Sequence, residues 1–170
     1  TLTPVVEDLE REMYELVIDQ LSVAGYQQYE VSNFAQPAMT CRHNKAYWDC
    51  LAWEAFGPGA ARFDGRKRTT NVRSVSAWIK KLLKDQSVTG DVDTMTPKGA
   101  ARERLVLGLR QQCGVDRLAF FQASGFEVDD LARKPIEEWV AAGLAEDDGC
   151  HIRLTRSGLL LSDSLWSAVL

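Results

Sequence analysis

The sequence predicts a two-part protein in which an α/β segment is followed by a small helical unit. Near the N-terminus an amphipathic helix, a glycine and a strand follow one another, which is an order typical of α/β proteins. Later in the chain come three helices, a β-hairpin and a final helix, which is a winged-helix-like order. The composition changes across residues 86–97. We therefore place a boundary near residue 92 and expect domains at residues 1–92 and 93–170.

The first helix is predicted to run from a cap at Thr3 and Pro4 to about Ala24, because apolar residues recur at every third or fourth position. Gly25 is the predicted stop. The aromatic and β-branched segment that follows predicts a strand from about Tyr29 to Phe34. Such α/β units belong to parallel sheets or barrels, and this helix has no strand ahead of it. We therefore expect that a preceding segment is missing.

The rest of the first part carries weaker signals. Residues 36–50 show no clear period and are predicted to form an ordered loop. Residues 51–63 predict a buried strand that breaks at a Gly-Pro-Gly turn. An Asp-Gly turn signal, a helix from about Val75 to Lys84 and an irregular connector complete this part.

The second part has clear helix starts and stops. Thr96 and Pro97 open a helix that ends at Gly114. The remaining predicted elements are helices at Arg117–Ala123 and Pro135–Ala142, a hairpin around Asp148-Gly149, and a helix from Thr155 to about Leu170.

Composition and charge exclude several classes of protein. The 170 residues are 45% hydrophobic and 26% charged, which is ordinary for a globular protein. The net charge is −4 and both parts are similarly acidic, so broad binding to nucleic acid or anionic membrane is not expected. No apolar run approaches the roughly 20 residues that cross a bilayer. The four cysteines match no zinc or iron–sulfur spacing, and we interpret them as reduced thiols of a cytoplasmic protein.

His43 is the most informative position for chemistry. An imidazole can ligate iron, and Asn44 could orient its second nitrogen. Tyr47 and Trp48 offer flat apolar faces suited to a macrocycle or a base. The alternative is a loop histidine that binds a backbone carbonyl beside a small aromatic core, and the spacing leaves both interpretations open. A single histidine cannot build a four-ligand zinc site, but it can serve as one axial ligand of haem.

Three other features have a structural and a functional interpretation. Gly57 and Gly59 either allow a ligand to approach main-chain N–H groups or simply form a tight turn. His151, in the predicted hairpin, is expected at the surface. A basic cluster would bind carboxylates or phosphates, or else form a solvated turn, and it comprises Arg62, Arg66, Lys67, Arg68 and Arg73.

An ordered set of strings resembles one family along nearly the whole chain. The strings are YEVSNFAQP, CRHNKAYW, FGPGA, NVR, LVLGLR, GVD, GLAE and RLTRSGLLLSDSLW. Their order is similar to that in the C-terminal half of the oxygen-independent coproporphyrinogen III oxidase-like radical SAM proteins. The HNxxYW pattern resembles the HemW-type haem-chaperone branch. The resemblance implies a truncated triosephosphate-isomerase-like barrel that ends near residue 85, followed by the family's C-terminal helical domain.

The resemblance also implies cofactors. In the family a CxxxCxxC loop binds a 4Fe–4S cluster whose open iron holds S-adenosylmethionine, and this chain has no such loop. Phe34 and Ala35 would contact the adenine of S-adenosylmethionine, and the turn from Gly57 to Gly59 would close the same end of the barrel. His43 would be an axial ligand of haem iron, with Asn44, Tyr47 and Trp48 completing the haem-binding pattern.

The sequence departs from the family pattern near the Gly-Pro-Gly turn. Ala61 stands where the family commonly has histidine. The glycines and the aromatic-leucine pair that usually precede the turn are replaced by Cys50, Trp53 and Glu54. These changes concern the substrate side of the site.

The residues and the resemblance together indicate three alternative functions. The first is haem binding and delivery, which implies haem as ligand and membrane-associated haem acceptors as partners. The second is oxidative decarboxylation of the propionates of coproporphyrinogen III to vinyl groups by an adenosyl radical. The third is a winged-helix interaction module, which the acidic second part argues against as a nucleic-acid binder. We also expect homodimers, because an incomplete barrel exposes strand edges.

Overall fold

The computed structural model describes residues 5–170. Helix α1 runs from Glu7 to Val23, and three acidic residues in its first turn complement the helix dipole. Gly25 adopts a positive φ just past the helix end, so the predicted stop is confirmed. The predicted cap at Thr3 and Pro4 lies outside the described residues.

Two short strands form where the sequence predicted a single strand from Tyr29 to Phe34. Strands β1 (Gln27–Glu30) and β2 (Asn33–Ala35) pair antiparallel across a two-residue link. The Glu30 carboxylate is 1% exposed and accepts hydrogen bonds from the Ser32 N–H and the Asn33 side chain, which turns the chain back on itself. Because so short a link permits only antiparallel pairing, the expected parallel α/β unit is not formed by these residues.

The predicted loop and the predicted buried strand also differ from the structure. Helix α2 (Arg42–Trp48) forms inside residues 36–50, where the sequence predicted a loop. Of the strand predicted over residues 51–63, only β3 (Ala61–Phe63) and an isolated pairing of Trp53 with Phe63 remain. The chain between them turns at glycines with positive φ, which interrupts an extended ladder.

A three-stranded antiparallel sheet completes the first part and runs past the predicted boundary near residue 92 to Thr94. Strand β4 (Lys67–Asn71) lies between β3 and β5 (Thr89–Thr94), and the predicted Asp-Gly turn joins β3 to β4. Helix α3 (Val75–Leu82) begins at the Ser74 cap and confirms the predicted helix. The segment predicted as an irregular connector contributes β5, whose residues are all exposed and so show no hydrophobic alternation.

The second part follows the sequence more closely. Helix α4 (Pro97–Leu109) begins at the Thr96 cap as predicted, and β6 (Val115–Asp116) and α5 (Arg117–Ser124) follow. Helix α6 (Val128–Ala141) starts seven residues before the predicted Pro135. Its backbone is non-helical at Ala132, in the turn before Pro135. Proline has no N–H to donate into the helix, and its ring crowds the preceding turn, so the helix is kinked there.

The predicted hairpin is confirmed, and the predicted last helix is broken. Strands β7 (Ala145–Asp147) and β8 (His151–Leu154) pair antiparallel, and β8 also pairs with β6. The final segment divides at Leu161 into α7 (Arg156–Leu160), α8 (Ser162–Leu165) and a 3₁₀ turn.

The hydrophobic core lies almost wholly in the second part. Its largest fully buried apolar side chains are Leu105, Leu109, Val128, Ile152 and Val169. Before residue 95, the buried hydrophobic residues among those described are Ala35 and Phe63 alone. No helix within residues 5–170 is both long and apolar enough to span a membrane.

Candidate functional site

Helix α2 carries all four residues of the HNxxYW pattern. His43 is exposed, whereas Asn44, Tyr47 and Trp48 are half-buried. Residues four apart share a face of a helix, so His43 and Tyr47 lie on one face and Asn44 and Trp48 on the neighbouring one. The helical spacing therefore divides the pattern between two faces.

One face of α2 starts a row of four rings in contact with one another. The His43 and Tyr47 ring centroids are 4.8 Å apart and nearly perpendicular. Tyr47 is 4.5 Å from Trp53, and Trp53 is 4.8 Å from Phe63. We call His43, Tyr47, Trp53 and Phe63 the aromatic row. The first two contacts are edge-to-face and the third is tilted, and aromatic contacts of this kind stabilise the rings beyond their buried area, so the row restrains the exposed imidazole at its end.

Two members of the aromatic row were not predicted as site residues. Trp53 and Phe63 are joined by two backbone hydrogen bonds, of 2.9 and 3.0 Å, and the Trp53 indole N–H donates to the Ala61 carbonyl at 2.8 Å. The only signal in the sequence was the aromatic content of the segment LAWEAF. Pairing of Trp53 with Phe63 across the nine residues between them decides that these two rings join the site.

A guanidinium covers the far end of the aromatic row. Arg68 lies 5.6 Å from the Phe63 ring centroid and forms an ion pair with Glu103 at 2.9 Å. Arg62 pairs with Glu54 at the surface. These two members of the basic cluster therefore have partners in the fold, while Arg66, Lys67 and Arg73 are exposed.

The second face of α2 packs toward the second part of the chain. The Arg110 guanidinium lies 5.3 Å from the Trp48 ring centroid. The Trp48 indole N–H is buried and has no hydrogen-bond partner among residues 5–170. The Asn44 amide donates to the Tyr29 hydroxyl at 3.4 Å, so Asn44 contacts β1. Asn44 and Trp48 thus contact the scaffold, and His43 and Tyr47 contact the aromatic row.

The residues expected to contact S-adenosylmethionine lie on β2 and on the glycine turn. Phe34 and Ala35 pair with β1, and Ala35 is buried. Gly59 donates its N–H to the Val72 carbonyl at 3.2 Å, so that group is already satisfied within the protein. Within the part of the chain that the structure describes, a Cβ at Gly57 would meet nothing within 4 Å, so a ligand has room to approach the main chain there.

An iron–sulfur cluster does not fit the residues of this chain. All four cysteines are free, three of them are exposed, and burial raises the pKa of the Cys50 thiol. Across residues 5–170 no three His, Cys, Asp or Glu side chains are grouped so as to hold a metal ion. We therefore derive no chemistry from a cluster here.

His43 offers one imidazole nitrogen as a candidate axial ligand of haem iron. His43 is exposed and lines neither the cleft of about 310 Å³ beside Cys50 nor the cleft of about 580 Å³ between α1 and α7. The donor set is one nitrogen with apolar ring faces beside it, which suits one axial position of an iron macrocycle. His151 lies elsewhere, exposed on β8 and 3.2 Å from the Asp116 carboxylate.

One domain family and two groups of differently named proteins are similar to this chain. Residues 95–161 match the HemN C-terminal domain family. The chain is 32% identical to the heme chaperone HemW of Bacillus subtilis (strain 168), over 96% of this chain and 43% of that protein. It is 33% identical to the mitochondrial radical S-adenosyl methionine domain-containing protein 1 of Mus musculus, over 97% of this chain and 40% of that protein.

A solved structure has the same fold over most of the chain. The coproporphyrinogen III oxidase HemN from Escherichia coli, described as a radical SAM enzyme, superposes with a TM-score of 0.72. The identity is 16%, and the match covers 91% of this chain and 39% of that one. The chain spans less than half the length of each of these relatives. Residues 95–161 therefore belong to the HemN C-terminal domain family, and nearly the whole chain is similar to the C-terminal part of oxygen-independent coproporphyrinogen III oxidase-like radical SAM proteins, several of which are named heme chaperone HemW.

Proposed function

We propose that this protein binds haem through His43 and serves in haem delivery. The observation that carries the proposal is an exposed imidazole held at the end of the aromatic row on α2. The names of several relatives, heme chaperones from Bacillus subtilis and Lactococcus lactis among them, support it.

The chain's own residues would act on haem in two ways. His43 would donate a ring nitrogen to the iron, and its perpendicular contact with Tyr47 would limit rotation of the imidazole. The half-buried faces of Tyr47 and Trp53 would lie against the apolar macrocycle. Bound haem would supply an iron centre that is passed on intact. Delivery would therefore require the iron-binding side chain to lie at the protein surface rather than in a closed pocket.

The test is a haem titration of the chain with two matched variants. His43→Ala is expected to lose the Soret band of the imidazole-ligated form. His151→Ala removes the other histidine of the chain and is expected to leave the band unchanged. A His43→Ala spectrum that matches the wild type would remove His43 from the proposal.

The whole protein would need further parts. We propose that S-adenosylmethionine contacts Phe34, Ala35, Gly57 and Gly59 in the longer radical SAM protein, beside a 4Fe–4S cluster on other residues. In that protein residues 1–92 would close a triosephosphate-isomerase-like partial barrel. Residues 93–170 would form the winged-helix-like C-terminal domain, whose order of helices and hairpin supports this assignment.

Three further proposals concern location and partners. The protein would act in the cytoplasm and pass haem to membrane-associated acceptors. It would also form homodimers, because the α1 face around Leu9, Met13 and Leu16 is exposed. Sedimentation velocity at micromolar concentration is expected to show dimers, and a clean monomer would contradict dimerisation.

An oxidase function is the second candidate. The likeness to the coproporphyrinogen III oxidase structure favours the same fold, and the exposed arginines of the basic cluster suit substrate carboxylates. Decarboxylation of coproporphyrinogen III by the longer, cluster-reconstituted protein would establish it, and absence of product would leave haem delivery. A winged-helix interaction module would instead require tight, salt-sensitive binding to DNA in a gel-shift experiment.

A further inference from the structure

Helix α2 lacks the means to hold its own position. It has seven residues, its cap residue Cys41 makes no side-chain hydrogen bond to it, and none of its residues is fully buried. Isolated helices shorter than about 12 residues are marginal in water. The direction in which His43 points is therefore set by whatever α2 packs against.

Two side chains of α4 and the turn after it bind the end of α2. The Gln111 side-chain amide donates to the Asp49 carboxylate at 3.0 Å, and the Arg104 guanidinium donates to the Asp49 carbonyl at 3.1 Å. Asp49 is the C-cap of α2, where carbonyl groups lack helix partners and carry partial negative charge. A guanidinium at this place satisfies one such carbonyl and complements the helix dipole.

The same segment of the second part is fixed to β1 by its backbone. Val31 donates its N–H to the Arg110 carbonyl at 3.1 Å, and Gln112 donates its N–H to the Tyr29 carbonyl at 3.1 Å. Gln111 is 7% exposed and pairs with Glu30 in an isolated antiparallel bridge. The residues that bind α2 therefore lie on a backbone segment that is itself hydrogen-bonded to residues 29–31.

We propose that Arg104, Arg110 and Gln111 are positioning residues for the haem ligand His43. All three lie within the residues that match the HemN C-terminal domain, so this domain would set the geometry of a ligand outside it. Arg110 acts through Trp48, and the other two act through Asp49. This inference rests on the proposed role of His43 in haem binding.

The experiment compares two substitutions at Asp49 in the full 170-residue chain. Asp49→Ala removes the acceptor for Gln111, whereas Asp49→Asn keeps an oxygen at the same place. Asp91→Ala, on the exposed strand β5, is the matched control. Asp49→Ala is expected to raise the Kd for haem about tenfold, the size of effect seen when groups that orient a metal ligand are removed. Asp49→Asn and Asp91→Ala should remain within about twofold of the wild type.

A second measurement needs no haem. Backbone amide hydrogen exchange of residues 45–49 is expected to accelerate in Asp49→Ala and not in Asp49→Asn, while the core amides of α4 keep their rates. Unchanged exchange in Asp49→Ala would overturn the role of Gln111, as would faster exchange with an unchanged Kd. The same two measurements on Arg104→Ala and Arg110→Ala decide the roles of the two arginines, whose contacts to the Asp49 carbonyl and to Trp48 remain in Asp49→Ala. If His43→Ala keeps the wild-type Soret band, the proposed function fails first and the positioning role falls with it.

Discussion

The two parts of this chain are stabilised in different ways. Residues 95–170 bury a continuous core in which Leu105, Leu109 and Ile152 have essentially no exposed surface. Residues 5–94 have no comparable core, and the apolar face of α1 is exposed, with Leu16 55% accessible. The first part is held by strand pairing, the aromatic row and hydrogen bonds to α4. The candidate site thus lies in the part with less burial of its own, and it depends on the other part for support.

The largest expected difference is in the folding free energy lost when two glycines are replaced by alanine. A Cβ at Gly158, in the core of the second part, would stand 1.9 Å from the Leu144 carbonyl oxygen. Gly158→Ala is expected to cost more than about 3 kcal/mol of folding free energy, because backbone has to move. Gly57→Ala meets open space and costs only the strain of its positive φ, about 1–2 kcal/mol. Urea unfolding followed by circular dichroism measures both, and equal losses would break the comparison.

A pair of leucines sharpens the same contrast without touching the backbone. Leu105→Ala removes a side chain with 0% exposure and is expected to cost about 3 kcal/mol through the cavity it leaves. In dilute, monomeric protein, Leu16→Ala on the exposed face of α1 should stay within about 0.5 kcal/mol of the wild type. A large loss in the monomer would break the comparison, whereas a loss confined to higher protein concentration is the result expected if α1 is buried in the proposed homodimer, and sedimentation of the same variant would show it.

The carboxyl groups of two aspartates, one in each part, are expected to contribute differently to the pH dependence of stability. Burial acts to raise the pKa of Asp147, but hydrogen bonds from Arg117 and from the Gly149 N–H outweigh it, and the pKa lies below its usual 3.8. A carboxyl with a lowered pKa in the folded state stabilises the protein above the unfolded pKa, and this contribution is lost as the pH falls through the folded pKa. The second part is therefore expected to lose stability below about pH 4.

The matched group is Asp19 of the first part. Its pKa is lowered by a hydrogen bond from Arg156, but the pair is exposed, so solvent screens most of its effect. Urea midpoints between about pH 6 and pH 2.5 should flatten in Asp147→Asn and keep their slope in Asp19→Asn. The reverse pattern would contradict the assignment of the acid-sensitive pair to the second part.

The smallest expected effect is at the centre of the aromatic row. Trp53→Phe keeps an aromatic ring between Tyr47 and Phe63 but removes the donor to the Ala61 carbonyl. We expect a loss of about 1 kcal/mol in the first part and a modest rise in the Kd for haem. Indole fluorescence of the remaining tryptophans and the haem titration check this. No change in either would show that the row does not restrain the site.

Local signals predicted the second part well. The Thr96 cap, the proline that follows it and the Asp148-Gly149 turn each fix backbone geometry within a few residues, and the structure confirms them. The sequence does not predict the first half of α6, because a proline favours a helix start, whereas Pro135 follows a kink inside the helix. Strand β5 was missed because both of its faces are exposed, so its sequence has no alternation.

The candidate site was predicted only in part. The sequence singled out His43 and its neighbours, but it predicted a loop where α2 forms, since α2 has neither a capping side chain nor a buried stripe. Trp53 and Phe63 could not be connected to His43 from spacing, because their contacts depend on strand pairing across the glycine turn. Whether His43, Phe34, Ala35, Gly57 and Gly59 bind cofactors stays a prediction.

The sequence by itself determined the family, the caps and turns of the second part, and the residue types available for chemistry, because each depends on neighbours in the chain. Only the tertiary structure decided that β1 and β2 form an antiparallel ribbon, that four rings form a row, and that Gln111 and Arg104 hold the end of α2. The contacts of Gln111 and Arg104 with α2 join residues far apart in the chain, and the ribbon depends on hydrogen bonds to the Glu30 carboxylate. A short helix gains its stability from such contacts rather than from its own sequence.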